Sequence, residues 1–359
     1  MNLLVLGNGF DLLHGLPTTY KDFIDFTTLF RMSLEKNDIS RLDYDSRMID
    51  FILHLSPELS NELESLIKDN LWLIHLEKET IGEGWKDFEK EMSEVIQKLD
   101  AIKVECDTQF KSGQKVARVN EYLGTSLLDF WGDCCSFSSM EPIKELRDIL
   151  THDLLRLTRC LEIYLDAFVN HLDTPKYVEK LQVLNIDKVL SFNYTNTYER
   201  LYGNSEVEYD YIHGKANLEH DIETCDLVLG IDEYLTGERK NQDNEYIEFK
   251  KFYQRIFKRT GCRYLTWLKQ FQEERLNIYI FGHSLDVTDK DILRQLILAR
   301  HAHTTIFYIH KSDLKNQIKN LVKVIGDYSR VIAPVVADLC TTPVALSAPP
   351  NSFQNNSQS

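Results

Sequence analysis

An apolar run, Leu3–Leu6, passes without a break into Gly7-Asn8-Gly9-Phe10-Asp11, and Gly15-Leu16-Pro17 follows. A short run with no polar alternation that ends at glycine reads as a strand buried on both faces, running into a tight turn. A strand of that kind needs partners on both sides and helices above and below. It therefore commits the chain to an α/β architecture with a parallel sheet. Gly7 and Gly9 carry no Cβ and allow close backbone approach. A helix starting near Phe10 would aim its unpaired N–H groups at the turn, a geometry suited to a pyrophosphate. Position 12 is Leu, so the Gly-x-Gly-x-x-Gly dinucleotide fingerprint is incomplete. A turn that needs glycine only for steric reasons explains these residues equally well.

The same pattern returns from Lys188 onward. Val189–Phe192 is an apolar strand followed by Asn193-Tyr194-Thr195-Asn196. Tyr209–Ile212 ends at His213-Gly214, Leu227–Gly230 leads to Asp232, and Ile278–Phe281 ends at Gly282-His283-Ser284. Thr305–Ile309 is a fifth candidate strand. Ligands of open parallel sheets bind just beyond the carboxyl ends of the strands. Asn193, His213, Asp232 and His283 are therefore expected to converge with Gly7–Asp11 on one crevice.

Between residues 37 and 184 the pattern changes to apolar residues three and four apart. Leu63, Leu66, Ile67, Leu71 and Ile74 form one stripe, Trp85, Phe88, Met92, Val95, Ile96 and Leu99 another, and Leu154, Leu155, Leu161 and Tyr164 a third. These are amphipathic helices that pack on one another. The expected organisation is an α/β core over 1–36 and 185–342, a helical insertion over 37–184, and a disordered tail over 343–359. Phe23, Phe26 and Leu29 extend the first helix toward Arg31. Over Phe249–Arg259 the aromatics share one helical face, expected to be buried. Lys250, Lys251, Arg255, Lys258 and Arg259 fall elsewhere and form a candidate phosphate or partner face.

Composition narrows the partners. The net charge of -15 works against nucleic acid and acidic lipid. Seven cysteines include no Cys-x-x-Cys pair, which disfavours a cysteine zinc site and fits reduced thiols in a cytoplasmic protein. No apolar run approaches the roughly eighteen residues that span a bilayer, so no membrane partner is expected. No basic segment precedes Leu3, so no signal peptide is expected.

Taken together, several motifs resemble the bacteriophage abortive-infection AbiH family. They are Gly7-Asn8-Gly9-Phe10-Asp11 with Gly15-Leu16-Pro17-Thr18-x-Tyr20, Ser191-Phe192-Asn193-Tyr194-Thr195-Asn196-Thr197, Ile212-His213-Gly214, and Phe281-Gly282-His283-Ser284-Leu285-Asp286 with Asp289. Trp85-x-Asp87-Phe88-Glu89 adds a weak fifth. Gly7, Gly9, Gly15 and Pro17, then Asn193, His213-Gly214 and Gly282-His283-Ser284, also resemble in order the motifs of sirtuin-like NAD-binding domains. That resemblance implies a Rossmann-like sheet with NAD as substrate. Gly7, Asn8, Gly9 and Phe10 would hold the diphosphate, with Asp11, Tyr194 and Gly214 among the nucleotide contacts. Asn193 would sit at the nicotinamide ribose, His213 would be the base, and Gly282, His283 and Ser284 would touch the adenosine half. Thr195 stands where sirtuins carry Asp, and the cysteine zinc module is missing, which argues against protein deacylation.

The chemistry suits these residue types. Breaking the nicotinamide–ribose bond builds positive charge on the ribose. The pyridinium departs neutral, so no general acid and no metal is needed. A base near neutral pKa helps, and histidine supplies one. By the family resemblance, the expected role is an antiphage effector that cleaves NAD or a related nucleotide, as a homo-oligomer answering to a phage-derived trigger or partner protein. Two alternatives stay open. One is a nucleotide-binding sensor without catalysis. The other is a nuclease with metal ligands among Asp11, Glu89, Asp232 and Asp286.

Overall fold

A computed structural model describes residues 1–35, 38–80, 88–112, 141–270, 275–326 and 339–343. Trp85, Asp87 and the tail over 344–359 lie outside the described residues. Contacts gather the chain into two compact units. One comprises Met1–Thr19, Leu165–Ala216 and Lys258–Ser359; the other comprises Tyr20–Tyr164 and Asn217–Phe257.

The first unit is built on a six-stranded parallel sheet. Its strands are β1 Asn2–Leu6, β2 Lys188–Ser191, β3 Glu208–Tyr211, β4 Leu276–Phe281, β5 Ala302–Tyr308 and β6 Leu339–Pro343. They lie in the order β3-β2-β1-β4-β5-β6. From β1 the chain builds outward to one side and then to the other. The order therefore reverses between β1 and β4, where open parallel sheets bind ligands.

Alternation along each strand feeds two cores. Leu3 and Val5 of β1, Leu190, Ile278, Ile280 and Ile306 face one, with Ile292, Leu293 and Leu296 of the Lys290–Ile297 helix and Leu321 and Val324 of the Lys311–Ile325 helix. Leu4, Leu6, Val189, Phe281 and Phe307 face the other, with Phe10, Leu13 and Tyr198. Burial on both faces is why β1 reads as an uninterrupted apolar run.

The opening helix differs from expectation. It covers only Gly9–Leu13, and a separate helix spans Tyr20–Leu34. Gly15, with φ +78°, ends the first. The left-handed backbone closes the turn, and Pro17 prevents continuation.

The second unit is helical over Tyr20–Leu34, Ser46–Leu53, Pro57–Ile67, Leu71–Thr80, Phe88–Ser112 and Glu141–Ile163. Trp72 is fully buried and donates its indole N–H to Leu150 O at 2.8 Å.

Two expectations fail in this unit. Leu227–Gly230 forms no strand and does not join the sheet; one isolated bridge pairs Ile231 with Lys250. Its backbone is served by a side chain instead. Gln254 Nε2 donates to Leu229 O at 2.9 Å, and Leu229 N donates to Gln254 Oε1 at 3.1 Å. Asp232 is therefore not at a strand end. The Lys251–Lys258 helix is also turned the other way. Lys251 and Gln254 are buried, whereas Phe252, Ile256 and Phe257 are 40%, 74% and 71% exposed. Gln254's pairing with Leu229 sets that orientation. Lys250 pairs with Glu233 and Lys251 with Glu89, so these two cations are spent inside the unit.

Candidate functional site

The carboxyl ends of β3, β2, β1 and β4 lie side by side, and each carries one of the motifs read from the sequence. Beyond β2, the Asn193 side chain donates to Gly7 O at 3.1 Å. Beyond β1, Gly7 N donates to Phe281 O at 3.1 Å and Gly9 N to Gly282 O at 2.9 Å. A Cβ on Gly9 would fall 2.8 Å from Gly282 O. The glycines thus interlock two turns. The N–H groups of Gly7, Gly9 and Phe10 are all engaged in backbone hydrogen bonds, Phe10 N with Gly7 O. Asn8 trades hydrogen bonds with Thr18, and the Phe10 ring is buried in the second core.

Asp11 turns inward. It is 1% exposed and accepts from Thr195 Oγ1 at 2.5 Å. Burial pushes its carboxyl up to about 6, against the opposing pull of its hydrogen bonds to Thr195, Thr197 and Asn193 and of the Arg200 charge. Between the ordinary value of 3.8 and 6, the folded state holds a proton that the unfolded chain has released. Stability from this group therefore falls as pH rises through that window and is level above it. The difference, about two units, corresponds to roughly 3 kcal/mol. We expect Asp11→Asn to gain on the wild type by about that much between pH 3.5 and pH 7. Urea unfolding of both proteins across this range measures it; parallel curves would show that Asp11 titrates normally.

His213 follows β3, and His283 follows β4. The Asp289 carboxylate stands between them. Its Oδ1 lies 3.5 Å from His213 Nε2 and its Oδ2 3.3 Å from His283 Nε2. Both rings are buried and meet Phe192 edge-on, with centroids 5.8 Å and 4.4 Å away. Leu285 N donates to His283 Nδ1 at 2.9 Å, which leaves the proton of the neutral ring on Nε2, facing Asp289. His283 thereby has its basic nitrogen occupied. Leu285 is held at φ +59°, an uncommon conformation for a bulky residue at the turn that supplies this amide. Asp286 caps the short helix Val287–Asp289 through Thr288 N, whereas Asp289 makes no cap with its side chain.

Gly214 turns at φ +82°, with its N–H on Tyr211 O. The Tyr194 ring lies 6.2 Å from that of His213, and Ser284 O accepts from Asn320 at 3.0 Å. A cavity of about 290 Å³ opens beyond the carboxyl ends of β4 and β5, against the Lys311–Ile325 helix, with Gly9 at its border. Gly9, Gly282, His283, Ser284, Phe307 and Gln317 are among its lining residues. Asn193 and His213 do not line it, and each is only 6% exposed.

Sequence reasoning missed Asp289 as the link between the histidines, because its pairing spans 76 positions from His213 and depends on strand order. It also missed Gln317, which carries no motif. Among the described residues, one group has the spacing of metal ligands: Glu162, His220 and Asp226, in the second unit. Glu162 there already accepts from Arg159, His220 and Asn217 N.

The fold and its rim define a parallel α/β protein with a histidine–carboxylate–histidine cluster beside a glycine interlock and a cavity beyond the ends of β4 and β5. The chain belongs to the bacteriophage abortive infection AbiH family, whose model matches residues 3–310. Membership implies a role in abortive infection by phage. No curated protein and no solved structure matches the chain. Among the described residues, no helix is long and apolar enough to cross a membrane.

Proposed function

We propose that this protein acts in abortive infection by hydrolysing NAD or a related nucleotide at the N-glycosidic bond. The observation that carries this reading is the cavity beyond the ends of β4 and β5, bordered by Gly9, with His213, Asp289 and His283 on the same rim. In this reading the adenosine half occupies the cavity against Gly282–Ser284. The nicotinamide ribose crosses the Gly7–Gly9 turn toward Asn193 and His213. Asn193 holds the ribose or the attacking water, and His213 accepts a proton as nicotinamide leaves. No metal takes part. Because Asn193 and His213 are buried, the turn must open before ribose reaches them. The resting protein is therefore expected to be slow and to speed up when a phage-derived component opens the site.

Purified protein is incubated with NAD, with and without lysate of phage-infected cells, and nicotinamide is followed by chromatography. Release stimulated by the infected lysate is the expected result. NAD left intact in both arms would remove the hydrolase reading.

A second reading, a nucleotide sensor, draws on two observations. The cavity is near the lower end of the size range of small-molecule sites, about 300 Å³, and the proposed base lies outside it. Nucleotide binding without turnover in either arm would favour it.

A further inference from the structure

In the second unit, the last turn of the Glu141–Ile163 helix carries Glu162, whose side chain is fully buried. His220 and Asp226 come from the segment that begins at Asn217, and both are half-buried. One ligating atom of each of the three lies within 4.8 Å of the other two. Arg159 Nη1 donates to Glu162 Oε2 at 2.7 Å, and Asn217 N donates to Oε1 at 3.2 Å. His220 Nδ1 stands 2.6 Å from the same Oε1. The buried carboxylate is thus held from two sides, the kind of outer hydrogen bonding that orients metal-ligating carboxylates.

Charge gives a second reason. Arg159 is itself buried, and its one guanidinium serves two carboxylates, Glu62 through Nε at 2.8 Å and Glu162 through Nη1. Its other contacts go to the carbonyls of Asn217 and Leu218. One negative charge is left over before Asp226 adds another close to Glu162, and a cation between these two carboxylates would turn their repulsion into attraction. The imidazole selects the ion. Magnesium and calcium take oxygen ligands, whereas zinc takes histidine nitrogen together with carboxylate oxygen. The geometry points to Glu162, His220 and Asp226 as a binding site for a divalent transition-metal ion, with water completing its shell on the half-buried side. Ligand atoms about 2.0–2.2 Å from a tetrahedral ion stand roughly 3.3 Å apart, so His220 draws back by roughly 0.7 Å. Its proton passes from Nδ1 to Nε2, and the freed Nδ1 lone pair ligates. The ion ties the segment 217–226 to the Glu141–Ile163 helix and takes no part in the hydrolysis proposed above.

The test is calorimetric titration with Zn²⁺ of the full chain after treatment with chelator and dialysis. One equivalent is expected to bind with a Kd of about 1 μM or tighter and to raise the thermal midpoint. His220→Ala and Asp226→Asn should each weaken binding by at least about ten-fold. His54→Ala, which removes an exposed histidine beside Asp50, should leave it unchanged. Mg²⁺ in about hundred-fold excess should not displace the ion. In the wild type, Zn²⁺ should protect His220 from diethyl pyrocarbonate, read by peptide mass spectrometry, which locates the ion without any variant. No binding by the wild type at about 100 μM Zn²⁺ would overturn the site. Binding that survives both substitutions, or His220 modified equally with and without Zn²⁺, would overturn its assignment to these residues. Displacement by Mg²⁺ would overturn the class of ion.

Discussion

His213→Ala is expected to lower stimulated nicotinamide release by at least about a hundred-fold, the usual contribution of a positioned general base. Nucleotide affinity should change little, because His213 does not line the cavity. The loss would therefore fall on kcat rather than KM. Asp289→Asn separates position from proton acceptance. The variant keeps the size of the side chain but removes the charge that faces His213 Nε2 and His283 Nε2. Without that anion His213 loses the carboxylate that faces it, and stimulated release is expected to fall on kcat rather than KM. Full activity in His213→Ala would take His213 out of the mechanism; full activity in Asp289→Asn would take out the carboxylate.

The parts legible in the sequence were those that depend on nearest neighbours. β1, β2 and β4 were readable because their central residues are largely apolar and buried, whereas β3 and β5 were readable only from their apolar ends, Tyr209–Ile212 and Thr305–Ile309. The polar residues at their ends were readable as a rim because parallel strands place their carboxyl ends together. Leu227–Gly230 has the same apolar character, but nothing local says that Gln254 rather than a strand will serve its backbone. β6 was not readable for the opposite reason. Leu-Cys-Thr-Thr-Pro is a weak pattern, and its proline is tolerated at the edge of the sheet. Over Lys251–Lys258 the aromatic stripe suggested a buried face, yet the lysine and the glutamine are inside, each meeting a partner far away in sequence. Asp289 lies only six residues beyond His283 but reaches His213 only once β3 and β4 share one sheet, and Gln317 reaches His283 only once the Lys311–Ile325 helix folds back. Side chains that work across crossovers leave no periodic trace.

The glycine interlock carries the largest structural consequence. Gly282 sits at φ +70°, and a Cβ there would come within 2.2 Å of Phe10 N and 2.6 Å of Gly9 C. Both obstacles are backbone, so no side chain can swing aside. An alanine would meet a left-handed conformational cost of about 1–2 kcal/mol and an overpacking cost of about 1–3 kcal/mol. Gly282→Ala is expected to lose about 2–5 kcal/mol in total, a large part of the 5–15 kcal/mol typical of a folded domain. The thermal midpoint should drop by roughly 10 °C. Gly237→Ala is the matched control. Gly237 has φ +60° but nothing within 4 Å of an added Cβ, so only the conformational cost applies. The difference between the two variants isolates the contact between the β1 and β4 turns. Nucleotide binding should fail only in Gly282→Ala, since Gly282 lines the cavity and holds Gly9 in place. Equal midpoints for the two variants would mean that the turns are free to part. The switch point would then be a loose junction, and the rim on which His213, Asp289 and His283 meet would lack the rigid base that catalysis at a fixed geometry requires.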